Sequence, residues 1–171
     1  MSDHPGGEKD MRPFVRGKKI AGVEIRPLRK FVDDRGWLSE LWRTDNVSEG
    51  ERPVMTYISQ TYPGVTRGPH EHVDQTDYFC FLGPGNFQLY LWDNREDSET
   101  YWVEQIVVFG EDAPHAVIIP PGVVHAYKNI SPHSGIVINC PNALYRGEHY
   151  KEEIDEIRHE DDPDSPFKVH H

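Results

Sequence analysis

Cysteine is scarce: the 171 residues contain two, Cys80 and Cys140. Two thiols make no disulfide framework, and because both fall in or beside apolar strand-like stretches they read as buried, inert side chains rather than reactive ones. No apolar run approaches the roughly 20 residues of a membrane-crossing helix, and no charged-then-apolar leader marks secretion. The expected compartment is a reducing cytoplasm, with no membrane partner. Basic residues are outnumbered by acidic ones, 18 against 29, for a formal charge of −11; that balance disfavours nucleic acid, whose phosphates call for a basic surface. Internal repeats and low-complexity tracts are missing, and Gly83-Pro84-Gly85 lacks the helix that a phosphate cradle needs after its glycines. A length of 171 residues fits one ordinary domain and not two full ones.

What the chain does have is strand pattern. Between residues 13 and 140 short apolar runs alternate with turn residues and no helical period of useful length occurs. Strands are predicted over 23–28, 37–43, 55–62, 67–72, 78–82, 86–92, 101–109, 116–119, 125–129 and 136–139, divided by turns such as Asp34-Arg35-Gly36, Pro63-Gly64 and Pro120-Pro121-Gly122. About ten strands with regular turns imply an all-β sandwich or barrel, since a lone sheet of that size leaves its edges open. Residues 1–12 are expected to be a disordered leader, 13–145 the β-domain and 146–171 an acidic tail. From Glu148 to Asp164 nine acids face only Lys151 and Arg158, a local charge of −7; the rest of the chain therefore carries −11 + 7 = −4 and can still offer arginines to an anion. A solvated tail with a short peripheral helix around 148–157 is the expectation.

The chemistry gathers in two stretches, Gly64 to Asp77 and Pro120 to Asn129. Strand side chains alternate, so His70 and His72 share a face, as do His125, Tyr127 and Asn129. If both faces turn inward, three imidazoles meet in one cavity. These stretches, His70-Glu71-His72 followed by Asp77 and then Pro120-Pro121-Gly122 with His125 and Asn129, resemble the two motifs of the cupin superfamily, with Asp77 where a glutamate is usual. The resemblance implies a jelly-roll barrel.

A narrower resemblance runs from residue 22 to about 145. Gly22 to Pro27, Phe31 to Glu40, Ser59 and Thr61, Gly64 to His70, Asp93 to Thr100 and Pro120 to His125 look like the dTDP-4-dehydrorhamnose 3,5-epimerase family in order and spacing. The resemblance implies a homodimeric enzyme without an obligatory metal, acting on a nucleotide-linked 4-keto-6-deoxysugar. A 4-keto group acidifies the protons on C3 and C5, so a base on one ring face and an acid on the other can invert a centre through an enolate. By resemblance His70 is the base, Arg67 and Arg35 hold phosphates, and Ser59 and Glu40 contact the substrate. Arginine suits a diphosphate because its fork donates two parallel hydrogen bonds.

Departures from the family are as informative. Asp77 stands where members carry a lysine that steadies the enolate oxygen, and a carboxylate cannot supply that charge. The family's acidic tyrosine falls on Ile138; Tyr127, inward by parity with His125, is the better substitute and Tyr145 the other. The aspartate that partners the family's base lies in a C-terminal extension beyond the length of this chain. Against these losses, His70, His72, His125 and Asp77 form a common ligand set for a divalent ion such as iron, manganese, nickel or zinc. The same groups could instead handle protons. Three functions therefore stay open: a sugar-nucleotide epimerase or isomerase with His70, His125 and Tyr127 at its catalytic centre, a metal-dependent cupin enzyme, and a non-catalytic sugar-nucleotide binder.

Overall fold

Alternation drives the architecture. In the stretch 86–93 the side chains of Phe87, Leu89 and Leu91 fall on one face and are all fully buried, as a pleated strand with one face against a core requires. The computed structural model describes residues 13–170, so the leader expected over 1–12 lies outside the described residues. Thirteen strands follow in chain order among the described residues: β1 (Phe14–Gly17), β2 (Glu24–Pro27), β3 (Phe31–Asp33), β4 (Gly36–Leu38), β5 (Tyr57–Thr61), β6 (Thr66–Glu71), β7 (Asp77–Phe81), β8 (Asn86–Asp93), β9 (Glu104–Gly110), β10 (His115–Ile119), β11 (Val123–Asn129), β12 (Gly135–Asn139) and β13 (Ile157–Arg158). A six-stranded sheet has the order β1-β9-β8-β11-β6-β13, a five-stranded sheet the order β2-β10-β7-β12-β5, and β3 pairs only with β4. All pairings are antiparallel. The fold is all-β, as the strand pattern implies, and it is the jelly-roll barrel that the cupin resemblance implies.

Phe79, Phe81, Phe87, Leu89, Val107, Phe109, Val117 and Tyr127 fill the space between the two sheets. Burying each large apolar side chain contributes about 1.5–3 kcal/mol. Both outer faces are also covered in part. Tyr78, Cys80 and Ile118 lie under Leu28, Val47, Leu41 and Trp42, while Tyr90, Trp92, Ile106 and Val124 lie under Phe167 and Val169. Both cysteines are free and buried.

Two local expectations are corrected. The strand predicted over 37–43 stops at Leu38, because Leu41 and Trp42 turn down onto the five-stranded sheet, where the Tyr78 hydroxyl donates to the Leu41 carbonyl at 2.8 Å. The helix expected around 148–157 does not form: Gly147, His149 and Tyr150 have φ of 64°, 55° and 60°, left-handed values that no α-helix of L-residues sustains. One 3-10 turn, Glu148–Tyr150, remains. The chain then extends into β13, which pairs with β6 through Ile157↔Glu71 and Arg158↔His70. Farther on, Ser165 and Phe167 are buried, so the acidic segment is a strap laid on the barrel.

Asp93 ties the strap's neighbouring turn together. Fully buried, it accepts from Arg95 Nε at 2.8 Å and Nη2 at 2.9 Å and from Ser98 Oγ at 2.6 Å. Burial alone would raise its pKa; these donors outweigh burial and hold it at about 2. Removing the acceptor strands Arg95, so Asp93→Ala should cost ~3 kcal/mol in denaturant unfolding. Because the folded pKa is depressed, the wild-type advantage should be full above pH 3.8 and disappear as pH falls through about 2.

Candidate active site

His70 and His72 leave the six-stranded sheet on the inward face of β6 and its continuation, and His125 comes from β11 directly opposite His70 in register. Close approach of the two strands depends on Gly68: its φ is +85°, and a Cβ there would lie 2.6 Å from the His125 carbonyl oxygen. Ring centroids are 4.5 Å apart for His70 and His125, 5.8 Å for His70 and His72, and 5.9 Å for His72 and His125. One nitrogen from each ring lies within 4.8 Å of the other two. The convergence expected from strand parity is present.

Asp77 reaches this cluster from the start of β7 in the opposite sheet. Its Oδ2 is 3.1 Å from His72 Nε2 and 3.2 Å from His125 Nε2, and its Oδ1 accepts from Gln75 Nε2 at 2.9 Å and Asn139 Nδ2 at 2.7 Å. Burial would raise the pKa of Asp77, but the two imidazoles outweigh it and keep the group ionised, below the usual carboxylate range. His72 shows the reciprocal effect. Burial lowers it, whereas the Asp77 carboxylate and the Asp155 carbonyl, which contacts His72 Nδ1, raise it to about 9. His70 is driven the other way, to about 2, chiefly by burial and then by His125 beside it. It is a neutral imidazole at any working pH.

The strap supplies the remaining wall. Asp155 accepts from the backbone N–H groups of Val73, Asp74 and Gln75 at 2.7, 2.9 and 2.8 Å, which, with burial opposing, lower its pKa. From there Glu156, Arg158 and Glu160 alternate into the cavity. Glu156 Oε1 and Glu160 Oε1 stand 3.7 and 3.8 Å from His70 Nδ1, and Arg158 lies 3.1 Å from Glu160. On the outward side His159 Nε2 meets the buried Glu71 at 2.8 Å. The sequence reading assigned these residues to a solvated tail and missed them. The two-residue spacing Glu156-x-Arg158-x-Glu160 is the strand pattern that could have marked them.

The cavity measures about 1130 Å³ and is lined also by Ser59, Arg67, Tyr127 and Tyr145. Tyr127 is buried with its hydroxyl 3.1 Å from Ser59 Oγ, and burial pushes its pKa up. Arg67 donates to Thr61 Oγ1 at 3.0 Å and to the Gln60 carbonyl at 2.8 Å. Arg35 and Glu40 are not brought to this cavity within one chain. Arg35 is exposed beside Asp33 in the β3–β4 hairpin, and Glu40 faces Arg43 at 3.5 Å; among the described strands the hairpin pairs with no other.

Residues 17–164 match the family described as dTDP-4-dehydrorhamnose 3,5-epimerase. A probable low-salt glycan biosynthesis epimerase of Haloferax volcanii is 37% identical over 135 residues, which cover 78% of this chain and 86% of that protein. A spore coat polysaccharide biosynthesis protein of Bacillus subtilis is 39% identical over 109 residues, 64% of this chain and 71% of that one. Among solved structures, a dTDP sugar isomerase from Desulfovibrio desulfuricans superposes with a TM-score of 0.75 at 23% identity, covering 87% of this chain and 91% of that one. A dTDP-4-dehydrorhamnose 3,5-epimerase from Bacillus anthracis, with TDP and pyrophosphate bound, gives 0.66 at 23% identity, with coverage of 81% and 82%.

The strap's hold on the cavity rests on Asp155. Charge-assisted hydrogen bonds of this kind contribute about 1.5–3 kcal/mol, so Asp155→Ala should speed amide exchange of Val73, Asp74 and Gln75 by more than tenfold. Glu153→Ala, an exposed neighbour, should leave those amides unchanged in the same hydrogen–deuterium measurement.

Proposed function

The chain belongs to the dTDP-4-dehydrorhamnose 3,5-epimerase family, and we propose that it is a sugar-nucleotide epimerase or isomerase that removes a proton next to the ketone of a dTDP-4-keto-6-deoxyhexose-like substrate. The observation that carries this reading is a neutral, cavity-facing imidazole, His70, set between two carboxylates and a cluster of polar donors. Nδ1 of His70 is buried, which leaves Nε2 as the nitrogen that a substrate can reach. Glu156 and Glu160 favour the tautomer with hydrogen on Nδ1, so the lone pair of Nε2 is aimed at the substrate. A general base needs that lone pair free in the resting site, and burial favours the unprotonated ring.

Tyr127 is the proposed acid on the far face, poised by Ser59. Arg67, with Arg146 and Arg158 also on the wall, is the anion-binding side of the cavity. His125 acts on His70 through direct ring contact. Where the family has a lysine, the positive charge next to the developing enolate comes here from His72, charged against Asp77. Proton transfer beside a ketone requires only an acid and a base, so the proposed reaction runs without a cofactor.

The proposed working form is a homodimer in the cytoplasm. Phe31, Val32, Trp37 and Leu38 of the β3–β4 hairpin are 47, 76, 51 and 63% exposed, and a bare two-stranded hairpin is marginal in water. A second copy is the occupant that covers this apolar surface and whose cavity Arg35 and Glu40 can reach. Among the described residues no helix is long and apolar enough to cross a membrane.

In deuterated water the protein should exchange label into C3 or C5 of a dTDP-4-keto-6-deoxyhexose. His70→Asn should lower that exchange by about 10²–10⁴-fold. Tyr127→Phe should keep the exchange but lose inverted product. No exchange across a panel of 4-ketosugars, with tight nucleotide binding retained, would leave a binder instead of an enzyme. Sedimentation should give twice 19.8 kDa, and Trp37→Asp should halve it.

A further inference from the structure

We propose that Tyr57 is a further catalytic residue: its phenol O–H donates to the ketone oxygen of the substrate, and to the enolate oxygen once His70 has taken the carbon-bound proton. The electron pair of the broken C–H bond then rests on that oxygen, where the phenol holds it. This role rests on the epimerase reading. Tyr57 opens β5 in the five-stranded sheet, whereas His70, His125 and Tyr127 all stand in the six-stranded one. Alternation gives Tyr57 and Ser59 the same face, and both line the cavity. Tyr57 is 44% exposed, so a bound sugar can meet it from the sheet opposite the base.

Hydrogen-bond accounting fixes where the phenol proton goes. Strand register pairs Tyr57 with Asn139 of β12. Asn139 Oδ1 accepts from the Tyr78 N–H at 3.1 Å, and its Nδ2 donates to Asp77 Oδ1 at 2.7 Å. A backbone N–H only donates and a carboxylate only accepts, so the amide has one orientation. The second Nδ2 hydrogen goes to the Tyr57 hydroxyl oxygen at 2.9 Å. Tyr57 is therefore an acceptor toward Asn139, and its own hydrogen points elsewhere; among the described residues no acceptor meets it. A ketone oxygen in the cavity supplies that acceptor. At the hydroxyl end burial, and then the charge of Asp77, raise the Tyr57 pKa, so the phenol keeps its proton and serves as a hydrogen-bond donor, not as the proton-transferring acid. A donor already aimed by Asn139 needs no rearrangement as charge grows on the oxygen. Asp77 thus orients two groups for the enolate, Tyr57 through Asn139 and the cationic His72 directly.

The test compares the full chain with Tyr57→Phe, which keeps the ring and removes the donor. In deuterated water, kcat for exchange into a dTDP-4-keto-6-deoxyhexose should fall about 10²–10³-fold while KM moves by less than about threefold. Inverted product should fall by the same factor, in contrast to Tyr127→Phe, in which exchange persists. A second readout needs no turnover: the infrared carbonyl stretch of the same ketone, labelled with carbon-13 at C4 and bound to His70→Asn. The stretch should lie below that of the free ketone, and adding Tyr57→Phe should return it. Should Tyr57→Phe fail to fold, 3-fluorotyrosine in place of Tyr57, nearly isosteric and a stronger donor, should lower the stretch further. Exchange unchanged in Tyr57→Phe, or a stretch that ignores both changes at Tyr57, would overturn the proposal. Absence of exchange in the unaltered protein would overturn the epimerase reading instead, and the stretch of the bound ketone would still decide on Tyr57.

Discussion

A single carboxylate, that of Asp77, joins the two sheets where the chemistry is. It is a charge taken wholly out of water, which is costly unless it is paired and hydrogen-bonded on every side. The pairing comes from His72 and His125 in the six-stranded sheet, and the hydrogen bonds from Gln75 and Asn139. Asn139 in turn donates to the Tyr57 hydroxyl at 2.9 Å and accepts from the Tyr78 amide at 3.1 Å. The position of the imidazoles and the charge on His72 follow from where that one negative charge is fixed, whereas His70 stays neutral through its burial and the neighbouring His125. An unpaired lysine in its place would repel a cationic His72, so this lysine-to-aspartate departure and the second histidine of His70-Glu71-His72 make sense only together.

The acidic segment after residue 148 has a second, unexpected role. Its carboxylates find donors on the barrel: Asp155 on three successive amides, Glu156 and Glu160 beside His70 and Arg158. On the reverse side His159 reaches Glu71, and Phe167 packs against Trp92, Trp102 and His159 with centroids 5.9, 5.6 and 4.7 Å away. The same residues therefore close the edge of a sheet, which would otherwise be open for pairing, and wall the cavity.

Much of this was legible in the chain itself. Period-two alternation in 86–92 and the unbroken apolar run 78–82 located central strands to within a residue, and parity alone brought His70, His72, His125 and Tyr127 to one hollow. The strands β1, β3 and β13 were not foreseen. They are two to four residues long, too short for a period to register, and they exist because a neighbour offers them an edge. The strap was misread for a related reason: nine acids in a row of seventeen describe a solvated segment by composition, and only the tertiary donors of 73–75 and 158 reverse that. Arg35 and Glu40 came from family likeness, and the exposed hairpin that carries them shows why local pattern could not place them at a cavity.

Pairing of β13 with β6 also sets an order in time. Residues 155–160 meet partners some eighty positions earlier, Val73 to Gln75 among them, and they follow the last core strand, Gly135–Asn139, so during synthesis the barrel strands precede this wall. Contacts this distant in sequence form late and slowly. A nascent barrel holds its imidazoles exposed through that interval, and the fit for a ligand arrives only when the strap does.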